Sequence, residues 1–327
     1  MPPPRPACAP ASDGHGTMWR MSGLMLLDTP SLYFRAFFGV PESVTAPDGT
    51  PVNAVRGLID MIARLVQDRG PERLVCCMDA DWRPAFRVAA LPSYKAHRVA
   101  DEGGGDQTPD ALEAQLPIID AVLDAFGLAR AGVPGYEADD VIGTLAVRGA
   151  ADGPVDIVTG DRDLFQLVDD GGPVAVLYTA RGIRNLQVMG EKEIAAKYGI
   201  PGRGYGDYAT LRGDPSDGLP GVPGVGDKTA AALVTRFGSV AGILAALDAG
   251  TDEGFPAGAR RRMEAAREYL AAAETVVRVV TDIDAPELAT LDDRLPAGAR
   301  DPEALVALAD RWNLASPVNR LLNALSR

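Results

Sequence analysis

The sequence predicts an α/β fold with a doubly wound, mostly parallel sheet, followed by a smaller helical domain. Between residues 23 and 180, short apolar runs alternate with longer segments of helical spacing, which is the pattern of strands joined by crossover helices. Beyond residue 190 the strand signals fade, and Ala-rich amphipathic runs follow at 257–280 and 302–325. With 46% hydrophobic residues among 327, the chain can bury a core in both parts.

The predicted sheet contains four strands whose continuous apolar character is typical of strands buried on both faces. These runs are 23–27 (GLMLL), 73–78 (RLVCCM), 155–159 (VDIVT) and 173–178 (PVAVLY). Helical spacing over 52–69 and 110–126 predicts two of the intervening helices, and Gly127 is a suitable stop for the second.

Changes in composition divide the chain into regions. Residues 1–21 begin with a Pro-, Ala- and Gly-rich stretch and are predicted to be a disordered leader rather than a secretory signal. The α/β domain is predicted at 22–190 and the helical domain at 191–327, and the Gly- and charge-rich segment 99–108 is a predicted mobile connector. No apolar run reaches the roughly 18 residues that a membrane span needs, so no membrane partner is expected.

The supply of reactive side chains limits the chemistry. With only two histidines and three cysteines, and neither a CxxC pair nor a disulfide framework, a His-based triad or a His-rich zinc site is hard to assemble. Cys76 and Cys77 lie in an apolar run that predicts buried free thiols, which fit a reducing cytoplasm. The net charge of −13 argues at first sight against a nucleic-acid partner. Bound divalent cations would, however, invert the sign of the charge around clustered acids.

Carboxylates follow three of the predicted strands directly. Asp28 follows the first, Asp79 the second, and Asp161 and Asp163 the third. Ligands of open α/β sheets bind beyond the carboxyl ends of the strands, so parallel neighbours would bring these acids together. Taken singly, such an Asp is more often a turn or cap residue.

A further acidic group, Glu137, Asp139 and Asp140, stands at the predicted start of a helix, where helix capping is the alternative explanation. Many carboxylates in one crevice repel each other and raise each other's pKa, and hard divalent cations remove that cost. Two such ions about 4 Å apart suit phosphodiester hydrolysis. The acids therefore favour metal-assisted phosphoryl chemistry.

Several sequence blocks together resemble the 5′ nuclease (flap endonuclease) superfamily, and most of all the bacterial 5′–3′ exonuclease domains found at the N-terminus of DNA polymerase I. The blocks are MLLDTPSLYFRAFF, CCMDADWRPAFR, LPSYKAHR, GYEADDVIGTLA, TGDRDLFQLV and LRGDPSDGLPGVPGVGDKTAAALV. The resemblance implies a PIN-like 5′ nuclease fold with a helical arch near 83–108 and a C-terminal helix–hairpin–helix. Thr29-Pro30 departs from the small pair that is more usual after the first Asp.

The resemblance also implies the metal ligands. Asp28, Asp79, Glu137 and Asp139 would hold a first ion, and Asp161, Asp163 and Asp214 a second, with Asp139 near the bridging position. Asp140 and Asp217 would act through water or with a third ion. The expected cofactors are two or three Mg²⁺ or Mn²⁺ ions.

Three basic residues are predicted to act on the scissile phosphate. Lys95 and Arg98 have the spacing of the family's arch residues, and Arg87 is expected to share their role. Phe34 is a predicted stacking partner for a terminal base, with a core role for Phe34 and stacking by Tyr33 as the alternatives. His97 is predicted to be a bystander.

The segment GLPGVPGVGDKTAAALV predicts a DNA-backbone site that does not select sequence, because its glycines expose backbone N–H groups before a helix. The predicted contacts are Gly221, Val222, Gly224, Val225, Gly226, Lys228 and Thr229. By resemblance, backbone carbonyls of this segment would also hold a potassium ion.

We therefore predict a monomeric, cytoplasmic and nucleoid-associated 5′–3′ exonuclease and 5′-flap endonuclease. Its expected partners are DNA molecules with a 5′ flap, a nick or a free 5′ end. The alternatives are a non-catalytic DNA-junction binder, against which the intact acid set argues, and a PIN-type RNase, which would usually be shorter and lack the GVPGVG segment.

Overall fold

The computed structural model describes residues 23–99, 108–169 and 171–326. The predicted leader at 1–21 lies outside the described residues, as does most of the predicted connector at 99–108.

A six-stranded sheet with the order β3-β2-β1-β4-β5-β6 forms the centre of the protein. Its strands are β1 (Leu24–Asp28), β2 (Arg73–Cys77), β3 (Ala129–Ala131), β4 (Val155–Thr159), β5 (Val174–Tyr178) and β6 (Gln187–Met189). All neighbours are parallel except β5 and β6. The four predicted strands are confirmed. The two unpredicted strands have three residues each, too few to produce a recognisable pattern.

The chain winds in both directions from β1, which lies between β2 and β4. Leu27 pairs with Cys76 on one side and with Val158 on the other, so the carboxyl ends of the three strands are level. The switch point of the winding therefore lies at β1 and β4, where a doubly wound sheet opens a crevice.

Fifteen α-helices surround and extend the sheet in the described part of the chain. They are α1 (Thr29–Gly39), α2 (Asn53–Arg69), α3 (Ala85–Ala90), α4 (Asp110–Glu113), α5 (Leu116–Phe126), α6 (Ala138–Gly149), α7 (Glu191–Tyr198), α8 (Tyr205–Arg212), α9 (Asp227–Phe237), α10 (Val240–Asp248), α11 (Ala259–Ala265), α12 (Arg267–Val277), α13 (Pro286–Ala289), α14 (Pro302–Arg311) and α15 (Ala315–Leu325). The described part of the predicted arch at 83–108 contains α3 and a 3₁₀ turn at Ala96–Arg98, and α4 begins just beyond it.

Some predicted helices are broken where the backbone cannot continue. The helix predicted at 110–126 is two helices, because Pro117 in the first turn of α5 has no N–H to bond the preceding turn. Gln115 at this break is fully buried, and its side chain accepts from the Ala54 N–H of α2 (2.9 Å). The run at 302–325 is likewise interrupted near Asn313, which has a left-handed φ of 54°.

Hydrophobic clusters cover both faces of the sheet. One cluster joins β1, α6, α8 and α9, and so ties the helical region to the sheet. The other joins α1, α2 and α5 to the last two helices through residues such as Leu305 and Leu321. Helices α14 and α15 therefore pack with the α/β region, although they follow the helical region in the chain.

Among the described residues, no single helix is long and apolar enough to cross a membrane. Only α9 and α10 taken together, which are bent by 72° at the break between them, have the length and apolar composition of a membrane span among the described residues.

Candidate active site

A pocket of about 380 Å³ opens at the carboxyl ends of β1, β2 and β4. Six of the nine predicted ligand acids line it: Asp28, Asp79, Glu137, Asp139, Asp161 and Asp214. Lys95, Arg98 and Phe34 also line it, together with Ser31, Trp82, Arg162 and Tyr178, which the sequence did not predict. The level strand ends thus bring together acids that are far apart in the chain.

Asp28 is fixed in position by the strand and helix that it joins. It caps α1 by accepting from the Ser31 N–H (3.1 Å), and the Thr159 hydroxyl of β4 donates to its other oxygen (2.5 Å). Burial raises the pKa of Asp28 to about 7, and the charges of Asp161 and Asp79 add to the shift. Pro30 lies in the first turn of α1, where no N–H is required, so the departure at Thr29-Pro30 leaves this geometry intact.

The acids at the start of α6 divide into two roles. Glu137 and Asp140 form a capping box, and Asp140 is fully buried and does not line the pocket. Asp139 does line it, and burial followed by the charges of Asp161 and Asp28 raises the pKa of Asp139 well above its usual range. The capping explanation therefore accounts for Asp140, while Asp139 faces the crevice.

Beside this group, Asp79 accepts from the Ala138 N–H (2.7 Å) and so links β2 to α6.

Asp163 and Asp217 do not line the pocket. They share a side-chain hydrogen bond, and burial raises the pKa of both carboxyls. The Asp163 Oδ1 atom is buried without a hydrogen-bond partner among the described residues. Asp214, in contrast, lines the pocket and lies 3.6 Å from Arg212 and 3.8 Å from Arg162.

Arg87 does not line the pocket. Its guanidinium pairs with Glu137 and, through both terminal nitrogens, with Asp140 at 2.8 and 2.6 Å. It also donates to the Val276 carbonyl at 3.0 Å. Only 3% of Arg87 is exposed, so the expected contact with the phosphate is corrected to a structural role: the buried carboxylates hold this cation in place.

Lys95 and Arg98 do line the pocket. The Lys95 ammonium forms an ion pair with Glu137, and the Tyr94 hydroxyl donates a hydrogen bond to the same carboxylate (2.7 Å). Burial is the largest single influence on the pKa of Lys95 and would lower it, but the interactions with Glu137, Tyr94 and Asp217 together outweigh burial, and the pKa is raised. Lys95 is therefore a permanent cation at the crevice. His97 is exposed and lies outside the pocket lining, as a bystander would.

The donor set fits hard divalent cations, because it consists of carboxylate oxygens whose mutual repulsion and burial such ions would relieve. In the ranges that the structure describes, no three His, Cys, Asp or Glu side chains are already arranged closely enough to hold a metal ion. Glu137 is engaged by Arg87 and Lys95 instead. Metal binding would require rotation of these carboxylates.

The aromatic residues of α1 differ in exposure. Tyr33 is 9% exposed and belongs to the core, whereas Phe34 lines the pocket. Phe38, which the sequence analysis did not single out, is 73% exposed and stacks on Phe34 with ring centroids 6.5 Å apart. Of the two predicted stacking candidates, only Phe34 is accessible from the crevice.

The predicted DNA-backbone segment forms the connection between α8 and α9. Gly221 and Gly224 have left-handed φ angles of 71° and 76°, which turn the chain twice within four residues. Val222 and Val225 are buried in the core, so their side chains anchor the hairpin and only their backbone could meet DNA. Gly226 and Lys228 are exposed and Thr229 is half-buried at the start of α9.

Family models match almost the whole described chain. The model for the 5′–3′ exonuclease N-terminal resolvase-like domain matches residues 23–199, and the model for the 5′–3′ exonuclease C-terminal SAM fold matches residues 200–298. The chain belongs to the 5′–3′ exonuclease family. The resemblance noted in the sequence is thus confirmed, and with it the prediction that the protein is a nuclease.

Individual relatives agree with this assignment. The chain is 60% identical to a 5′–3′ exonuclease of Streptomyces coelicolor, over 92% of this chain and 100% of that one. It is 52% identical to a 5′–3′ exonuclease of Mycobacterium tuberculosis, over 93% and 98%.

A solved structure of the bacteriophage T5 D15 flap endonuclease with DNA and metal ions superposes with a TM-score of 0.61 at 18% identity, over 93% of this chain and 99% of that one. It confirms the predicted fold class of this exonuclease family member.

Proposed function

We propose that this exonuclease hydrolyses DNA phosphodiesters at free 5′ ends and 5′ flaps, near junctions of single and double strands, with two divalent cations held by the pocket acids. The observation that carries the proposal is the convergence of six carboxylates in one pocket that is also lined by the predicted phosphate-binding residues Lys95 and Arg98. Basic side chains beside a cluster of carboxylates suit a phosphodiester that is bound between metal ions on the carboxylates and the basic side chains.

The proposed ligands fall into two groups on either side of Asp139. Asp28, Asp79 and Glu137 would hold one ion with Asp139, and Asp161 and Asp214 the other, with Asp163 behind them. When bound, the ions would supply an activated water and neutralise charge on the transferring phosphate. Mg²⁺ and Mn²⁺ are the proposed ions, since both prefer oxygen ligands.

The chain's own side chains would orient the strand to be cut. Lys95 and Arg98 would bind the scissile phosphate, and Arg98 offers a fork of donors while Lys95 offers a point charge. Phe34 would stack on the terminal base, a contact worth roughly 1–3 kcal/mol. The backbone N–H groups at the start of α9 would bind a phosphate of the duplex.

A potassium ion would be held by hairpin carbonyls between 221 and 226, and Asp140 and Asp217 would act only through neighbouring groups. The enzyme would work as a monomer, in the cytoplasm, on the DNA of the nucleoid.

Cleavage of a labelled 5′-flap duplex in Mn²⁺, in Mg²⁺ and in EDTA tests the proposal. We expect short 5′-phosphorylated products in either metal and none in EDTA. Tight binding of the flap without cleavage in any metal would instead favour the non-catalytic junction binder. Preference for an RNA strand of the same sequence would favour a PIN-type RNase.

A further inference from the structure

The loop of residues 214–218, here called the acidic loop, lies directly against residues 93–98 at the base of the arch. The Lys95 N–H donates to the Asp217 carbonyl (3.1 Å), and the Ser93 hydroxyl donates to the Gly218 carbonyl (3.1 Å). Arg98 donates to the Ser216 carbonyl (2.9 Å). Three successive carbonyls of one loop therefore hold three residues of the other segment.

An apolar cluster lies beneath these hydrogen bonds. Tyr94 of the arch base and Leu219, which directly follows the acidic loop, are buried at 3% and 2% exposure and pack with Val276 and Val277 at the end of α12. The cluster is separate from the two that cover the sheet. The arch base is thus fixed to the helical region by its own small core.

Gly218 is the residue that permits this close approach. It has a φ of 72°, and a Cβ at this position would overlap the Ser93 carbonyl oxygen and lie 3.4 Å from the Lys95 nitrogen. Backbone atoms cannot move aside as a flexible side chain would. Lys95 itself has a left-handed φ of 47°, which is uncommon for a residue with a side chain.

We propose that Gly218 and the acidic loop are positioning elements for the phosphate-binding cations Lys95 and Arg98. This inference rests on the proposed function of the pocket. The loop closes through the Asp214–Leu219 bridge and leads within three residues into the hairpin at Gly221. The same short segment therefore joins the duplex-binding hairpin to the cations that act on the scissile phosphate.

The position of these cations matters more than their presence. A misplacement of about 1 Å at a reacting group lowers a rate on the order of 100-fold. Adding a methyl group at Gly218 must push the arch base away from the acidic loop, which moves Lys95 and Arg98 without removing either charge. Turnover should therefore fall while the hairpin continues to bind duplex.

The test compares Gly218→Ala with Gly250→Ala. Gly250 has a similar φ of 69° but nothing within 4 Å of its Cβ, so it carries the backbone cost without the clash. We expect Gly218→Ala to lower the single-turnover cleavage rate of a 5′-flap duplex in Mn²⁺ by roughly 10- to 100-fold. Flap affinity in EDTA should stay within about threefold of wild type, and Gly250→Ala should cleave like wild type.

Adding Gly218→Ala to a variant that already lacks both cations, Lys95→Ala/Arg98→Ala, separates positioning from general damage. If Gly218 acts through Lys95 and Arg98, the added Gly218→Ala change should not lower the residual cleavage rate further. Rate losses that multiply, or a Gly218→Ala rate equal to that of Gly250→Ala, would overturn the inference.

Hydrogen exchange of residues 93–98 provides a readout that does not require cleavage. Exchange there should be faster in Gly218→Ala than in wild type, and unchanged exchange would overturn the inference whatever the activity. A wild-type protein that fails to cleave in metal would sink the proposed function, while this measurement still decides the contact. If Gly218→Ala does not fold, Ser93→Ala removes one of the three hydrogen bonds and should show the same changes on a smaller scale.

Discussion

Replacing Arg87 by Ala should destabilise the protein, because it would leave the buried Asp140 carboxylate without a cation and Glu137 with Lys95 alone. Arg87, Glu137 and Asp140 have side-chain exposures of 3%, 5% and 0%. Removing one partner of a buried ion pair costs about 3–5 kcal/mol, since the remaining charge stays desolvated. We expect the free energy of unfolding of Arg87→Ala to fall by an amount in that range, measured by urea denaturation in EDTA.

The matched control is Arg98→Ala. The Arg98 side chain is 39% exposed, and its guanidinium lies 3.9 Å from the Asp217 carboxylate. Exposed pairs contribute roughly 0–1 kcal/mol, so this variant should unfold near the wild-type urea concentration while losing cleavage. The opposite pattern would refute the reasoning. An Arg87→Ala protein of wild-type stability that binds flap DNA but does not cleave it would restore Arg87 as a phosphate ligand.

Three other perturbations address the acids and the hairpin. The pKa of Asp28 is about 7 in the folded protein, above its ordinary value of 3.8. Between pH 3.8 and pH 7 the folded state therefore keeps Asp28 protonated while the unfolded state does not, and the protein loses stability as the pH rises through this range. In EDTA, the melting temperature of Asp28→Asn relative to wild type should therefore increase from pH 4 to pH 7.5, and a constant difference would contradict the burial argument. Asp161→Ala should abolish cleavage in both Mg²⁺ and Mn²⁺ while flap affinity in EDTA stays near wild type, and full activity in both metals would exclude the two-ion assignment. Gly226→Leu should weaken duplex binding at an unchanged melting temperature, because a Cβ there meets nothing within 4 Å and would stand only in the path of the phosphate.

The fold could be predicted from sequence as far as its elements have a pattern long enough to recognise. Strands such as β1 and β4 are five-residue apolar runs, and α2 keeps helical spacing over 17 residues. The three-residue strands β3 and β6 have no such pattern. Their existence depends on pairing with β2 and β5, which is a tertiary property.

The positions of the site acids were predictable for a related reason. Residues at or just beyond the carboxyl ends of neighbouring parallel strands, such as Asp28 and Asp161, lie at one edge of the sheet. What the sequence could not supply is the direction of each side chain. Asp139 and Asp140 are adjacent on α6, and a turn of about 100° per residue directs one to the pocket and the other to Arg87.

The role of Arg87 illustrates the same limit. Its place in the chain, eight residues before Lys95, suggested a shared task at the phosphate. The structure instead surrounds it with Glu137, Asp140 and the carbonyls of residues 276 and 278. Those partners lie 50 to 191 residues away in sequence, so no local pattern identifies the burial of this arginine.

The predicted ligand acids also differ in whether a basic side chain of the protein compensates their charge. Glu137 and Asp140 are neutralised by Arg87 and Lys95, and Asp214 lies beside Arg162 and Arg212. In the described residues, no Lys or Arg forms an ion pair with three other pocket acids, Asp28, Asp139 and Asp161. Asp28 and Asp139 are also acids whose pKa is raised by burial and by the negative charge of Asp161.

A divalent cation gains most where charge is not already compensated, because it then relieves repulsion without breaking an existing ion pair. A divalent ion should therefore bind more readily beside Asp28, Asp139 and Asp161 than beside Glu137, which Lys95 must first release. This order would link metal binding to the freedom of Lys95, because an ion that took over Glu137 would free the ammonium for a phosphate. A net charge of −13 is then compatible with DNA as substrate, since the acids that produce much of the local field are those that the metal neutralises.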